Sequence, residues 1–211
     1  MDRAAKLAEL KRVLATPARP QADKPDRVLS TGVIDDLLGG GFPRGRVAQL
    51  AGARSSGKAA LALQAAARAT TAARLAAWID ARHELYPPAA AAMGVDLARL
   101  LIVRPPPTVL AAARAAEIVA QSRAFALIVV DLTPGVLERT AGARLRQAAH
   151  DADAAVVLLT STTTPVSTIE VAALRVDVTP RHAILQRGGA APPGTRHLFY
   201  KLRPALKGGA R

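Results

Sequence analysis

Gly52-Ala53-Arg54-Ser55-Ser56-Gly57-Lys58-Ala59 is the stretch on which the fold turns. The apolar run Val47-Ala-Gln-Leu50 before it reads as a buried strand, and the Ala-rich residues 57–70 after it read as a helix. A Gly-x4-Gly-Lys sequence between a strand and a helix is a phosphate loop in the setting that pattern requires. Its glycines let the chain curl until N–H groups converge on phosphate oxygens, and the helix N-terminus and Lys58 add positive charge. Gly52, Ser55, Ser56, Gly57 and Lys58 are therefore the candidate anion-binding residues. The eighth position of the pattern supplies a Ser or Thr hydroxyl to magnesium, and here it is Ala59, whose methyl group cannot ligate a metal. Asp131 closes the apolar run Leu127-Ile-Val-Val-Asp131 and fits the second acidic position of such sites. One carboxylate does not restore a metal site that lacks its hydroxyl, so no bound metal is expected.

The strand–helix alternation continues outward from the loop. Residues 75–80, 100–103, 127–131 and 155–160 read as strands, and 86–93, 108–122 and 137–151 as helices. Near-continuous apolar strands between helices predict an α/β core with a mainly parallel sheet covered on both faces. After Thr160 the pattern changes. Ser161-Thr-Thr-Thr-Pro165 is a polar loop, and segments near 173–178, 182–187 and 197–203 are expected to be antiparallel strands extending one sheet edge. The core is placed at 28–204 and a basic disordered tail at 205–211. Ahead of it, residues 1–16 read as an amphipathic helix that gathers Leu7, Leu10, Val13 and Leu14, and 17–27 read as a Pro-rich linker. Such a helix either packs on its own domain or serves as an arm for another protein, and the linker favours the arm.

Composition narrows the function. Among 211 residues, 48 are alanine and only 3% are aromatic, so the core must be aliphatic. The absence of cysteine removes disulfides, thiolate metal sites and Cys nucleophiles. His83, His150, His182 and His197 fall at no metal-ligand spacing. Lys and Arg number 29 against 16 acids, a net charge of +13 that favours polyanionic partners, although scattered arginine also serves solubility. Residues 178–211 hold no acid and seven basic residues, among them Arg196, Lys201, Arg203 and Lys207. No apolar run is long enough to span a bilayer, and a soluble cytoplasmic protein is expected.

Leu29-Ser-Thr-Gly32, Leu38-Gly-Gly-Gly-Phe-Pro-Arg-Gly-Arg46, Ser55-Ser-Gly-Lys58, Trp78-Ile-Asp-Ala-Arg-His83 and Gly94-Val-Asp-Leu-Ala-Arg-Leu-Leu101 follow one another in order. Together they resemble the RecA ATPase core, over roughly residues 28 to 203. The resemblance implies a RecA-like P-loop fold, and it gives the departures their meaning. The position of the glutamate that activates water in RecA matches Arg82, which cannot act as that base. The positions that hold adenine match Tyr86 and Ala89. The acidic residue inside the loop matches Arg54, and the polar residue that senses the γ-phosphate falls near Ser161. Lys201 and Arg203 match basic residues that reach across a RecA filament.

A Leu-bearing N-terminal helix, an altered phosphate loop and a basic tail together resemble the ImuA (SulA-like) family. That resemblance implies an accessory role in SOS-induced translesion mutagenesis, in contact with RecA and with ImuB. The expected function is therefore a non-catalytic, RecA-like accessory protein of DNA repair. No cofactor is expected, and any ATP binding should be of low affinity. The alternatives are a DNA-binding RecA paralogue that uses the basic C-terminal segment and an ATPase with an atypical site.

Overall fold

Successive residues of a strand face opposite sides of its sheet, and in this chain both sides are apolar. In β3 (Arg46–Ala51), β4 (Leu75–Ile79), β6 (Phe125–Asp131) and β7 (Ala155–Thr160), one set of alternate residues, including Leu50, Trp78, Leu127, Val129 and Leu159, joins one buried layer. The other set, including Val47, Ile79, Ile128, Val130 and Leu158, joins a second layer on the opposite face. Strands buried on both faces must be covered twice, which is the physical basis of the architecture. The computed structural model describes residues 28–32, 34–132, 135, 137–161, 172–180, 182–187 and 197–199.

Helix α2 (Lys58–Thr71) covers the first face, with Leu61, Ala62, Ala65, Ala66 and Ala69 buried. Half of its buried side chains are alanine, which lets the helix lie close to the sheet. α4 (Val109–Gln121) and α5 (Arg139–Ala152) cover the second face through Ala112, Ala116, Ala120, Ala141 and Leu145. Thr108 caps α4 by accepting from the Ala111 amide at 3.1 Å. A short helix α3 (Pro87–Ala92), with Pro87 in its first turn, leads through a 3-10 turn at Leu97–Arg99 into β5 (Leu100–Val103).

Among the described residues the sheet has eight strands in the order β10-β9-β8-β3-β7-β6-β4-β5, adding β8 (Leu174–Val178), β9 (His182–Arg187) and β10 (His197–Phe199). The α/β class, the largely parallel sheet and the helices on both faces agree with the sequence. One strand direction does not. β8 was expected to be antiparallel, but it runs parallel to β3, with Ala48 opposite Leu174 and Leu50 opposite Val176. About a dozen residues separate β7 from β8, the length a parallel return requires. Antiparallel pairing begins with β9 and continues to β10. Of the expected strand at 197–203, His197–Phe199 is described as β10.

A ribbon of β1 (Val28–Leu29) and β2 (Phe42–Pro43), with a one-turn helix α1 (Asp35–Leu38) between them, was not anticipated. Asp35, in the first turn of α1, holds the turn that follows β1. Its carboxylate accepts from Ser30 Oγ at 2.5 Å, Thr31 N at 2.6 Å, Thr31 Oγ1 at 2.8 Å and Gly32 N at 3.1 Å. Burial pulls the Asp35 pKa upward, but these hydrogen bonds outweigh it and hold the carboxyl below its ordinary value. Among the described residues, no helix is long and apolar enough to cross a membrane. The helix expected over 1–16 with Leu7, Leu10, Val13 and Leu14, the linker expected at 17–27, the basic residues Arg196, Lys201, Arg203 and Lys207, and the tail expected at 205–211 all lie outside the described residues.

Candidate functional site

The loop between β3 and α2 lies at the carboxyl ends of the parallel strands, where open α/β sheets place their ligands. The Gly52 amide donates to Thr160 O at the end of β7, at 3.1 Å. A side chain at Gly52 is excluded, because a Cβ there would fall 2.3 Å from Ser56 Oγ and 2.6 Å from Val178 O. The curl of the loop places Ser55 at φ 60° and Gly57 at φ 96°, both left-handed. No side chain caps α2 at Gly57. The amides and the partial positive charge of this helix end therefore remain available to an anion.

Lys58 is buried, 8% exposed, and its Nζ donates to Gly52 O and Ala53 O, each at 3.0 Å. Burial pushes its pKa down and the charge of Arg54 adds to that, while Asp131 and Glu84 act in the opposite sense. Asp131 sits at the end of β6 opposite Leu159, close enough to Lys58 and Arg82 to bear on both electrostatically. It lines a cavity of about 380 Å³ together with Ala81, Arg82, Pro107, Thr108, Val109 and Leu132. Ser161 follows Thr160 directly and is half-buried. Ala59 is exposed on the first turn of α2.

The two arginines noted in the sequence converge on a residue that sequence reasoning missed. Glu84 Oε1 accepts from Arg82 Nε at 3.0 Å and Arg82 Nη2 at 2.7 Å, and from Arg54 Nη2 at 3.3 Å. The Arg82 hydrogen bond is the main reason the Glu84 carboxyl titrates below its ordinary range, with the charges of Arg82, Arg54 and Lys58 adding to it. The turn carrying this pair is held by Asp80, 1% exposed, which accepts from Glu84 N at 2.9 Å and Leu85 N at 3.3 Å. Arg104 Nε closes the arrangement 3.4 Å from Asp80 Oδ2. The available signal was an acid two residues beyond Arg82 in the same loop, Arg82-His83-Glu84.

Tyr86 is 66% exposed and Ala89 is exposed at the start of α3. Ala89 has no ring on which a base could stack. Beneath the loop, buried Gln49 donates from Nε2 to Thr160 Oγ1 at 2.9 Å, joining β3 to β7. The structure thus brings Gly52, Arg54, Ser56, Lys58, Arg82 and Glu84 into one region. Ala59 places a methyl group at the eighth position of the loop, and Arg82 is engaged with Glu84.

Comparison with known proteins gives the same outline. A family model described as the RecA N-terminal domain matches residues 21–148. The RecA protein of Picosynechococcus sp. is 42% identical over 106 residues, covering 50% of this chain and 30% of that protein. The RecA protein of Corynebacterium jeikeium is 44% identical over 117 residues, covering 52% of this chain and 31% of that protein. The chain therefore spans about a third of the length of these curated relatives. A crystal structure of the RadB recombinase superposes with a TM-score of 0.64 at 22% identity, covering 82% of this chain and 96% of that one. At that identity the likeness speaks for the fold.

Proposed function

The chain belongs to the RecA N-terminal domain family, and from that premise we propose that it is a non-catalytic accessory protein of the ImuA type. It acts in SOS-induced translesion synthesis and DNA repair through contacts with RecA and ImuB. The observation that carries this reading is the donor set at the phosphate loop: Ala59 where magnesium needs a hydroxyl, and Arg82 paired to Glu84 where water needs a base. A protein that keeps this fold without those groups has its surfaces left to work with.

Two surfaces support protein contact. The sequence of residues 1–16 spaces Leu7, Leu10, Val13 and Leu14 as one face of an expected helix, ahead of a Pro-rich stretch. β5 lies at the edge of the sheet, with Leu100, Leu101, Ile102 and Val103 all half-buried and Leu97 41% exposed beside them. An apolar edge strand with open backbone groups is a docking template for an added segment. Pull-down with the purified full chain should capture RecA and ImuB, and deletion of residues 1–16 should abolish capture while circular dichroism stays unchanged. Retained capture by the deletion moves the contact to the core. Failure of the full chain to capture either protein contradicts the proposal. The net charge of +13 favours a second reading, direct binding of single-stranded DNA. A steep loss of affinity with rising salt would support it.

A further inference from the structure

The surroundings of the phosphate loop hold more positive charge than a metal-dependent site would need. Lys58 stands at its base, Arg54 on the loop itself, and Arg82 at the end of the turn after β4. The carboxylates facing these cations are Glu84, which both arginines share, and Asp131. Magnesium normally neutralises an oligophosphate in such a loop, and here its ligand is missing at Ala59. Two guanidinium forks can do the same work, since arginine binds phosphate oxygens in a planar, bidentate manner.

Three further observations point to an anion. The N-terminus of α2, a helix of 14 residues, has no side-chain cap. Ser56 is 2% exposed, and its Oγ lies inside the curl of the loop against Gly52 with no hydrogen-bond partner. Lys58 Nζ donates to the neutral carbonyls of Gly52 and Ala53. Glu84 supplies the negative charge between the arginines, but its side chain is 44% exposed and Arg54 is 77% exposed. An exposed pair of this kind is held weakly and gives way to a more highly charged anion. Ala89 offers a methyl group and no ring on which a base could stack.

We infer that the phosphate loop is a magnesium-independent receptor for an oligophosphate group, in which Arg54 and Arg82 replace the metal and Glu84 is a built-in competitor that the anion displaces. The group recognised is a di- or triphosphate, free or at the end of a nucleotide, and the nucleoside adds nothing to the affinity. The inference rests on the reading that the hydrolytic groups are gone, and its test separates the two.

The experiment is calorimetric titration of the full chain with sodium tripolyphosphate and with ATP, in EDTA and then in excess magnesium. Tripolyphosphate should bind in EDTA, ATP should match it within about threefold, and magnesium should weaken both by shielding the anion. Glu84→Gln should bind about fivefold to tenfold more tightly. The double variant Arg54→Ala/Arg82→Ala should lose about tenfold or more, with an unchanged urea midpoint as evidence that it folds. Absence of tripolyphosphate binding by both the parent and Glu84→Gln overturns the inference. So does affinity that requires magnesium, affinity that depends on adenine, or a double variant that binds as the parent does. Phosphate release is followed in the same samples. Turnover dependent on Lys58 would sink the proposed function, whereas absent binding without turnover would sink this inference alone.

Discussion

Asp80 is the residue whose removal should disturb the candidate site most from beneath. Its carboxylate is 1% exposed and accepts three donors: Glu84 N at 2.9 Å, Leu85 N at 3.3 Å and Arg104 Nε at 3.4 Å. Asp80→Ala removes all three at once. A hydrogen bond to a charged acceptor contributes about 1.5–3 kcal/mol, and donors that water can reach recover part of that loss. Glu84 is exposed and Leu85 half-buried, so recovery is partial. The expected cost is about 2–3 kcal/mol, in the range of a broken polar network. Arg104 is 46% exposed, so its pairing is screened and Arg104→Ala should cost less than about 1 kcal/mol. Asp80→Asn keeps one acceptor and should fall between the two. Urea unfolding with matched slopes measures all three variants. If Asp80→Ala lay within about 0.5 kcal/mol of the parent, or if Arg104→Ala cost as much as Asp80→Ala, the reasoning about this turn would be wrong.

Gly52→Ala should destabilise by about 1–3 kcal/mol through overpacking, because its Cβ would press on Ser56 Oγ and the Val178 carbonyl. An unaltered thermal midpoint would show that the loop yields without cost. Leu158→Ala removes a fully buried side chain from the layer under α4 and α5 and should cost about 2–5 kcal/mol in urea. Asp35 carries a pH signature. Its folded pKa lies below the ordinary 3.8, so its stabilisation is complete above that value and is lost as pH falls through the lower, folded pKa. The stability gap between the parent and Asp35→Asn should therefore be full at neutral pH and shrink below about pH 4; a gap that holds constant into acid would contradict the assignment.

The parallel core was legible because its strands are apolar on both faces. Runs such as Leu127-Ile-Val-Val and Ala155-Val-Val-Leu-Leu leave no polar residue for a solvated side. The loop was legible because its glycines are under steric demand, as Gly52 shows against Val178. The direction of β8 was not legible. The alternation Leu174-Arg-Val-Asp-Val178 marks a strand, but only the length of the preceding connection distinguishes a parallel from an antiparallel return. The β1–β2 ribbon escaped notice because two-residue strands carry no periodicity. Glu84 escaped because an exposed acid in a loop resembles any solvated charge until Arg54 and Arg82 are seen to meet on it. The partner contacts proposed for Leu7, Leu10, Val13 and Leu14 fall outside the described residues.

The proposed function requires a phosphate loop that has lost magnesium-dependent hydrolysis. The most direct measurement is phosphate release from ATP in excess magnesium by the purified chain and by Lys58→Ala. Equal, background-level release by both is the predicted result. Turnover by the parent that disappears in Lys58→Ala would contradict the account at its root.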